Sequence, residues 1–388
     1  MGQPAPHFVV IGNRLSRRVE LFQAALARLG LPPAQLVSSL TLLAGETALP
    51  EFVRRGSVVR IESPGKDFAV ERALLELGAD EHDEEGAADY ERLPRVAVQR
   101  LTFDRGRVLA PRQWYLGYRA ALRLIESQLA DCPPHRLLNA PAEIAVMFDK
   151  RRCHALLQAR GVPVPRSLGP VNSFNELMEQ MRQTDCRRVF VKLAHGSSAS
   201  GVVAYQTDGR RHRALTTVEM VKTGGELRLY NSRRLRTYDN LDAVAELVDA
   251  LCRQRVHVEQ WIPKAGFADH TCDLRVVVIA GRARHAVLRL SRNPLTNLHL
   301  LNTRGDLAAF KAHVGATQWA KALNICEQTL ACFPQSFYAG VDLLFAPGFE
   351  RQVVAEVNAF GDLLPGVLCD GVDTYAAEVL ALPTLGAA

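Results

Sequence analysis

Several classes of protein are disfavoured by what the sequence lacks. The eight cysteines are scattered singly and none belongs to a C-x-x-C pair, which argues against a zinc ribbon or thioredoxin-like chemistry. No apolar run approaches the roughly 18 residues that a membrane-spanning helix needs. The first residues, MGQPAPHFVVIGN, carry no basic stretch ahead of a long apolar core, so we expect no signal peptide. Unpaired cysteines and these absences together predict a cytoplasmic protein.

The charge of the chain is nearly balanced. Its 388 residues include 47 basic and 41 acidic side chains, which gives a net charge of +6. This excess suits an anionic ligand but does not by itself indicate nucleic-acid binding. At about 100–200 residues per domain, the length predicts two or three domains.

The first third of the chain alternates predicted strands with predicted helices. Apolar runs predict strands at 7–12, 36–43 and 57–61. Helical spacing of apolar residues predicts helices at 19–29, 69–77 and 111–129. This alternation predicts a parallel sheet. The turn after the first strand lacks the G-x-G-x-x-G pattern, so a dinucleotide site is disfavoured.

Two polar segments interrupt this pattern. The acidic run 81–86 has no apolar periodicity, and we interpret it as a solvated loop rather than a metal site. Pro133 and Pro134 cannot continue the preceding helix, so they predict a domain boundary near residue 135.

From residue 136 onward the pattern changes to α+β. Helices are predicted at 149–161, 173–183, 242–251 and 311–333. Strands are predicted at 189–205, as a hairpin, and at 256–262, 273–279, 285–290, 338–345 and 352–357. The basic stretch 233–236 is interpreted as a solvated loop, with binding of an acidic substrate tail as the alternative.

A lysine inside a strand precedes a loop of small residues. Lys192 lies in the run Val189–Leu193, and the segment 195–201 is almost entirely glycine, serine and alanine. In a Walker A loop the glycines come before the lysine and a helix follows, so this is a different design. Backbone N–H groups of such a loop can surround phosphates, with Lys192 as a point charge. The alternative is an ordinary exposed hairpin.

A second constellation lies on the hairpin near the C-terminal end. The alternation of side chains places Glu356 and Asn358 on one face, and folding at the turn brings Asp342 opposite Glu356. Two carboxylates and an amide oxygen suit Mg²⁺. A single salt-bridged acid on a half-buried strand pair is the alternative, but several acids among apolar neighbours are costly to desolvate without a cation.

Arginines also lie inside predicted strands. Arg275 and Arg289 are flanked by apolar residues, and a guanidinium in this setting suits a polyphosphate or a carboxylate. The isolated histidines at 154, 257 and 285 are interpreted as structural. The loop serines have no His–Asp partners placed by the sequence, so we do not interpret them as nucleophiles.

The order of these motifs resembles the ATP-grasp superfamily, in particular the branch of carboxylate–amine ligases that adds glutamate to proteins and small molecules. The resemblance extends roughly from residue 136 to 375. The residues that carry it are Asp149-Lys150, Val191-Lys192 with the loop 196–201, Glu259 to Ile262, Asp273-Leu274-Arg275, Arg289, Asn297, Asp342 and Glu356-Val357-Asn358.

This resemblance implies a fold and an activity. It implies an N-terminal βαβ domain over 1–135, a small lobe with the lid loop over 136–258, and a large lobe with a metal site over 259–388. The implied activity is amide formation that depends on ATP and Mg²⁺ and passes through an acyl-phosphate. The substrates would be a carboxylate and an amine, including a peptide or an amino acid. A nucleotide-binding protein without turnover is the alternative, and a kinase is a weaker one.

The resemblance also implies roles for individual residues. Lys150 and Lys192 would contact ATP phosphates. The lid would contain Gly196, Ser197, Ser198 and Gly201, and the adenine hinge would contain Glu259, Gln260, Trp261 and Ile262. One or two Mg²⁺ ions would be held by Asp342, Glu356 and Asn358. Arg289, with Asn297, would stabilise the phosphoryl group and the acyl-phosphate, and Arg275 would be a second contact to a phosphate or a carboxylate.

One segment departs from the pattern of this branch. There the corresponding Asn is followed by a basic residue and two glycines, whereas here Asn297 is followed by Leu298-His299-Leu300. This departure concerns the acceptor side, and it motivates the alternative without turnover. The resemblance implies no membrane or nucleic-acid partner, and it is compatible with a homodimer.

Overall fold

The fold is built on three β-sheets of four, five and six strands. We analysed a computed structural model, which describes residues 6–83, 90–196, 200–296, 302–361 and 364–382. None of the helices in these ranges is both long and apolar enough to cross a membrane.

The N-terminal sheet is parallel, as predicted, with the strand order β2–β1–β3–β4. Its elements are β1 (Phe8–Gly12), α1 (Arg17–Arg28), β2 (Gln35–Ser38), α2 (Ser39–Leu43), a 3₁₀ turn (Leu49–Glu51), β3 (Val58–Ile61), α3 (Phe68–Asp80), α4 (Arg95–Gln99), α5 (Pro111–Ala130) and β4 (Arg136–Leu137). The strand predicted over 36–43 is wrong beyond Ser38, because a short apolar run is compatible with either type of element.

Helices α3 and α5 lie against each other with their backbones in contact. Gly78 on α3 approaches the carbonyl of Gln113, and Gly117 on α5 approaches the carbonyl of Leu74. A methyl group added at either glycine would overlap a main-chain oxygen. This close contact brings the N-terminal end of α5 deep into the molecule.

The acidic run 81–86, predicted as a solvated loop, contains one buried carboxylate among its described residues. Residues 84–86 of that run lie outside the described part of the chain. Asp83, however, is only 3% exposed, and its carboxylate pairs with Arg112 and Arg255. The interpretation was wrong at Asp83 because the sequence did not reveal the two buried guanidinium partners.

The central sheet is antiparallel, with the order β8–β7–β6–β5–β9. Its elements are α6 (Pro141–Phe148), α7 (Lys150–Ala159), α8 (Phe174–Gln183), β5 (Arg188–Leu193), β6 (Val203–Thr207), β7 (His212–Thr223), β8 (Glu226–Tyr238), α9 (Leu241–Cys252) and β9 (Val256–Gln260). Val189 and Val191 face α8 and α9 in a shared core. Alternation along β5 therefore directs Lys192 to the opposite face.

The basic stretch 233–236 belongs to β8 rather than to a loop. Its pairing with β7 shifts register between Thr216 and Val218, so several residues of β8 lie opposite one residue of β7. Arg233 and Arg234 remain exposed. The exposure was predicted correctly, but the strand was missed because the stretch has no apolar alternation.

The third sheet is also antiparallel, with the order β13–β12–β11–β14–β15 and with β10 paired to β11. Its elements are β10 (Gly266–Phe267), β11 (His270–Ile279), β12 (Arg282–Ser291), β13 (Thr303–Arg304), α10 (Leu307–Val314), α11 (Ala316–Ala331), β14 (Tyr338–Phe345), β15 (Gln352–Asn358) and α12 (Thr374–Leu380). The helix predicted over 311–333 is divided at Gly315, whose φ of +83° ends α10.

Helix α12 returns to the N-terminal sheet through a buried arginine. Arg60, on β3, is fully buried and donates to Glu62 at 2.6 Å and to Glu378 of α12. Its guanidinium also lies 4.7 Å and 5.1 Å from the ring centres of Tyr338 and Tyr375. Elements from both ends of the chain therefore share one buried charge cluster.

We predict that Gly117→Ala destabilises the protein by about 1–3 kcal/mol or more, because the added methyl meets a main-chain oxygen that cannot rotate away. The control is Gly65→Ala, whose methyl would lie 3.7 Å from the Ser63 hydroxyl. Urea unfolding of both variants measures the difference. Equal stability of the two variants would show that α3 and α5 are not packed this closely.

Candidate functional site

A cleft lies between the central sheet and the third sheet. Its walls come from α7, β5, β9 and β15 and include Lys150, His154, Lys192, His257, Glu259 and the segment 354–357. Charged and aromatic side chains from four separate elements therefore face one space.

Lys150 is placed in the cleft by the start of α7. The Asp149 side chain caps this helix, accepting hydrogen bonds from the backbone N–H groups of Arg151 and Arg152 at 3.0 and 3.2 Å. The Lys150 ammonium donates to the carbonyl of Gly196 at 2.6 Å and lies 3.0 Å from a Glu356 carboxylate oxygen. Lys150 thus connects α7 with the β5–β6 loop and with β15.

Lys192 is held by a buried carboxylate on the neighbouring strand. Its ammonium lies 2.5 Å from Glu259, and His257 Nε2 lies 3.2 Å from the same carboxylate. Burial acts to raise the pKa of Glu259, but Lys192 and His257 outweigh it and hold that pKa at about 2. Glu259 is therefore ionised at neutral pH, and the lysine in the strand has a definite partner.

Two glycines at the described ends of the β5–β6 loop lie directly against Leu193. A methyl group at Gly196 would come within 3.0 Å of the Leu193 side chain. Gly201 has a φ of +65°, and a methyl group there would overlap the same leucine. Ser197 and Ser198, which we predicted as lid residues, lie outside the described residues.

The predicted hinge connects the central sheet to the third sheet. β9 ends at Gln260, and the Trp261 ring packs at 5.4 Å from the Phe190 ring. Ile262 is buried against Leu344 of the third sheet. Glu259 lines the cleft, whereas Gln260, Trp261 and Ile262 form the connection between the central sheet and the third sheet.

The predicted metal residues meet on the β14–β15 hairpin. Asp342 pairs with Glu356, and Gly340 pairs with Asn358, as the alternation predicted. The Asn358 amide donates to the Gly340 carbonyl at 3.4 Å. Asp342 is buried, whereas 34% of the Glu356 side chain is exposed, so the pair runs from the interior to the cleft.

Both predicted arginines bind Asp342. Arg275, directly opposite it on β11, donates from Nε and Nη2, the second bond measuring 2.9 Å. Arg289 Nη2 lies 3.0 Å from the same carboxylate. Burial acts to raise the pKa of Asp342, yet the two arginines hold it at about 2. Asp342 is thus a carboxylate that two guanidinium groups share.

A lysine that the sequence did not indicate also belongs to this network. Arg289 Nε donates to Asp273 at 2.6 Å, and the Lys264 ammonium lies 2.9 Å from the other oxygen of Asp273. Burial lowers the pKa of Lys264, although Asp273 opposes this shift. Lys264 lies in a loop with no apolar periodicity, so nothing local in the sequence indicated its burial.

The local charge favours an anion. Three cations, Lys264, Arg275 and Arg289, share the carboxylates of Asp273 and Asp342. This leaves an excess of positive charge in a buried region, next to the neutral pairs Lys150–Glu356 and Lys192–Glu259. A polyanion entering the cleft would compensate this charge.

The histidines divide into two groups. His154 and His257 form part of the cleft wall, with their ring centres 4.9 Å apart. His285 instead bonds the Val372 carbonyl at 2.8 Å, away from the cleft.

Asn297 lies outside the described residues. In the described ranges no group of three or more His, Cys, Asp or Glu side chains is arranged to hold a metal ion.

Comparisons with known proteins identify the fold. No protein-family model and no curated protein matches the sequence. Among solved structures, the ATP-grasp ligase PsnB complexed with a minimal precursor is 16% identical, with 94% of this chain and 93% of that chain covered and a TM-score of 0.51. The D-cycloserine synthetase DcsG is 14% identical, with 91% of each chain covered and a TM-score of 0.50.

A third solved structure has the same fold. It is the ADP complex of N5-carboxyaminoimidazole ribonucleotide synthetase, which is 11% identical, with 92% of this chain and 70% of that chain covered and a TM-score of 0.54. The chain therefore has the ATP-grasp fold preceded by a βαβ unit, as the motif order predicted.

We predict that Lys192→Met destabilises the protein by about 3–5 kcal/mol, because it leaves the buried Glu259 carboxylate without its cation. Lys192→Met combined with Glu259→Gln should recover most of this loss. Urea unfolding at pH 7 measures both, and equal stability of the single and double variants would contradict the pairing.

The same pair predicts a pH dependence. The folded pKa of Glu259 is about 2 against a usual 4.5, so its contribution to stability is complete above pH 4.5. The contribution is lost as the pH falls towards 2. The double variant should therefore lose less stability than the wild type across this window, as measured by urea unfolding at a series of pH values.

Proposed function

We propose that the protein is an ATP- and Mg²⁺-dependent carboxylate–amine ligase that acts through an acyl-phosphate. The observation that carries this proposal is that Lys150, Lys192 and Glu356 line one cleft of an ATP-grasp fold. Arg275 and Arg289 share the carboxylate of Asp342, which lies opposite Glu356 on the β14–β15 hairpin. Excess positive charge beside oxygen ligands suits a nucleoside triphosphate with its metal ion.

The nucleotide would lie along the cleft. Lys150 and Lys192 would donate to its phosphates, exchanging part of their pairing with Glu356 and Glu259 for charge-assisted bonds to phosphate oxygens. Gly196, Gly201 and the serines between them would form the lid. The segment from Glu259 to Ile262 would hold the adenine base.

On this basis we also propose domain limits of 1–135, 136–258 and 259–388.

The donor set fits Mg²⁺. Asp342 and Glu356 face each other across the hairpin, with Asn358 on the same strand as Glu356, and these are the hard oxygen ligands that Mg²⁺ prefers. When bound, Mg²⁺ would neutralise charge on the phosphates. If Asp342 released Arg275 or Arg289 in order to bind Mg²⁺, that arginine would be free to bind the phosphoryl group.

The reaction would proceed in two steps. A carboxylate oxygen of the substrate attacks the γ-phosphorus, and the bond to the departing ADP oxygen breaks. Arg275 and Arg289, with Asn297, would stabilise the charge on the transferring group. The amine nitrogen then attacks the acyl carbon, loses a proton and displaces inorganic phosphate, which leaves an amide. Exclusion of water by the lid would protect the acyl-phosphate from hydrolysis.

The substrates are proposed to be an amino acid or a peptide. PsnB was solved with a minimal precursor, and DcsG is a D-cycloserine synthetase, which supports either a precursor or a small molecule as the substrate here. A PsnB structure that is 16% identical over 97% of both chains, with a TM-score of 0.50, contains Mg and ADP, which supports the same pair of ligands here.

We expect Lys150→Met and Glu356→Gln each to weaken Mg·ATP binding, since each removes one charged contact worth about 1.5–3 kcal/mol, or roughly tenfold to a hundredfold in affinity. Calorimetry measures this loss. The control is Lys222→Met, which removes an exposed lysine of the central sheet that pairs with Glu246. Absence of nucleotide binding by the wild type would overturn the proposal.

Turnover separates the ligase from its alternatives. Incubation with Mg·ATP, hydroxylamine and single amino acids or dipeptides should yield a hydroxamate with the correct carboxylate, because hydroxylamine intercepts an acyl-phosphate. ATP binding without ADP release in any mixture would instead favour a nucleotide-binding protein without turnover. A stable phosphorylated product that hydroxylamine does not intercept would indicate a kinase.

A further inference from the structure

Helix α5 of the N-terminal unit reaches the proposed nucleotide site through a buried charge network. Arg112, near the start of α5, is 1% exposed. Its guanidinium donates to both oxygens of Asp83, with Nε at 2.9 Å. Its Nη1 lies 3.2 Å from His195 Nε2 and 3.7 Å from Asp149 Oδ2. One guanidinium therefore connects the N-terminal helices to two residues of the central sheet region.

Asp149 and His195 both lie next to the groups that position Lys150. Asp149 caps α7, whose first residue is Lys150. His195 precedes Gly196, whose carbonyl accepts from the Lys150 ammonium at 2.6 Å. The Lys150 backbone N–H also donates to the Ala194 carbonyl at 3.0 Å. Arg112 therefore contacts Asp149 at the start of the helix and His195 in the loop. These two segments orient Lys150, the lysine proposed to bind phosphate.

A second residue of α5 fixes the same histidine. The Tyr115 ring stacks on the His195 ring with the centres 4.1 Å apart, and the Tyr115 hydroxyl donates to the Ala145 carbonyl at 2.8 Å. On the other side, the Ala194 N–H donates to the Arg255 carbonyl at 2.9 Å. His195 is thus enclosed between α5 and the turn before β9.

Burial keeps His195 neutral. The groups that face it are Arg112 and the Tyr115 ring from α5, Asp149 from α7, and Arg255 from the turn before β9. Burial is the main cause that lowers the pKa of His195, with Arg112 and Arg255 acting in the same direction against Asp149. Near neutral pH the imidazole is therefore uncharged, and its Nε2 lies between the Asp149 carboxylate and the Arg112 guanidinium.

We propose that Arg112 is a positioning residue for the nucleotide site. By joining Asp83 to Asp149 and His195, it holds the start of α7 and the start of the β5–β6 loop in the arrangement that places Lys150 in the cleft. The inference rests on the proposed function for the identity of the ligand. It adds that the N-terminal unit controls the geometry of a site to which it supplies no cleft-lining side chain among the described residues.

The test compares Arg112→Met with Arg123→Met. Arg123 lies on the same helix, is about half exposed and pairs with Glu81 at 2.5 Å, so its loss removes the same charge without touching the network. Arg112→Lys keeps the charge but loses the two-pronged contact with Asp83. Asp83→Asn combined with Arg112→Met removes the charges of both partners, which guards against simple unfolding of the single variant.

We expect Arg112→Met to weaken Mg·ATP binding by about tenfold to a hundredfold, because a small displacement of a positioned group has effects of this size. Arg112→Lys should restore part of the affinity, and Arg123→Met should bind as the wild type does. Loss of a cation beside His195 raises its pKa. Binding by Arg112→Met should therefore become pH-dependent between about pH 5 and 7, where histidine titrates.

Two measurements without nucleotide complete the test. Nuclear magnetic resonance of labelled histidines, assigned with His195→Gln, should show a higher pKa of His195 in Arg112→Met than in the wild type, and an unchanged pKa in Arg123→Met. Hydrogen exchange at the Lys150 and Gly196 amides should be faster in that variant and unchanged in Arg123→Met.

The outcomes separate this inference from the proposed function. If the wild type binds no Mg·ATP, the proposed function fails. The His195 titration and the exchange rates of the Lys150 and Gly196 amides then test the positioning role without nucleotide. If the folded Arg112 variants bind Mg·ATP as the wild type does, with unchanged His195 titration and unchanged exchange, Arg112 merely joins two helices and the inference is overturned.

Discussion

The pairing of buried carboxylates with cations is the interaction on which the cleft depends. A carboxylate as buried as Glu259 or Asp342 is tolerated only with a partner, because an unpaired buried charge is costly. Each pair here joins different elements: Lys192 to Glu259 across β5 and β9, Arg275 to Asp342 across β11 and β14. These two pairs fix neighbouring strands within the central and the third sheet, whereas the pair of Lys150 with Glu356 joins α7 to β15 across the cleft. The same bonds that neutralise the charges therefore also fix the positions of the cations.

The parts of the site that depend on local pattern were predictable from the sequence. Alternation along a strand has a period of two, so the pairing of Asp342 with Glu356 follows once the hairpin turn is recognised. The helix start at Lys150 follows from its Asp149 cap in the same way. The order of motifs then gave the fold, since a series of weak signals in a fixed order is far more specific than any one of them.

The parts that depend on distant partners were not predictable. Asp83 looks like part of a solvated acidic run, and only the fold shows that Arg112 and Arg255 lie beside it. Lys264 binds Asp273 of β11, and the His257 ring lies against His154 of α7, so both depend on partners from other elements. A sequence pattern reports the periodicity of one element, whereas burial of a charge is decided by what packs against it from elsewhere.

The cluster around Arg60 has a consequence for the order in which the chain can fold. Arg60 is made early in synthesis, but its partner Glu378 follows 318 residues later. Tyr375 and Val379 of α12 also complete the core that begins with Phe8 on β1. The N-terminal sheet therefore leaves the ribosome with a guanidinium that has Glu62 beside it but lacks Glu378, and with an open apolar face, until α12 emerges. Its maturation is a late event, although its sequence comes first.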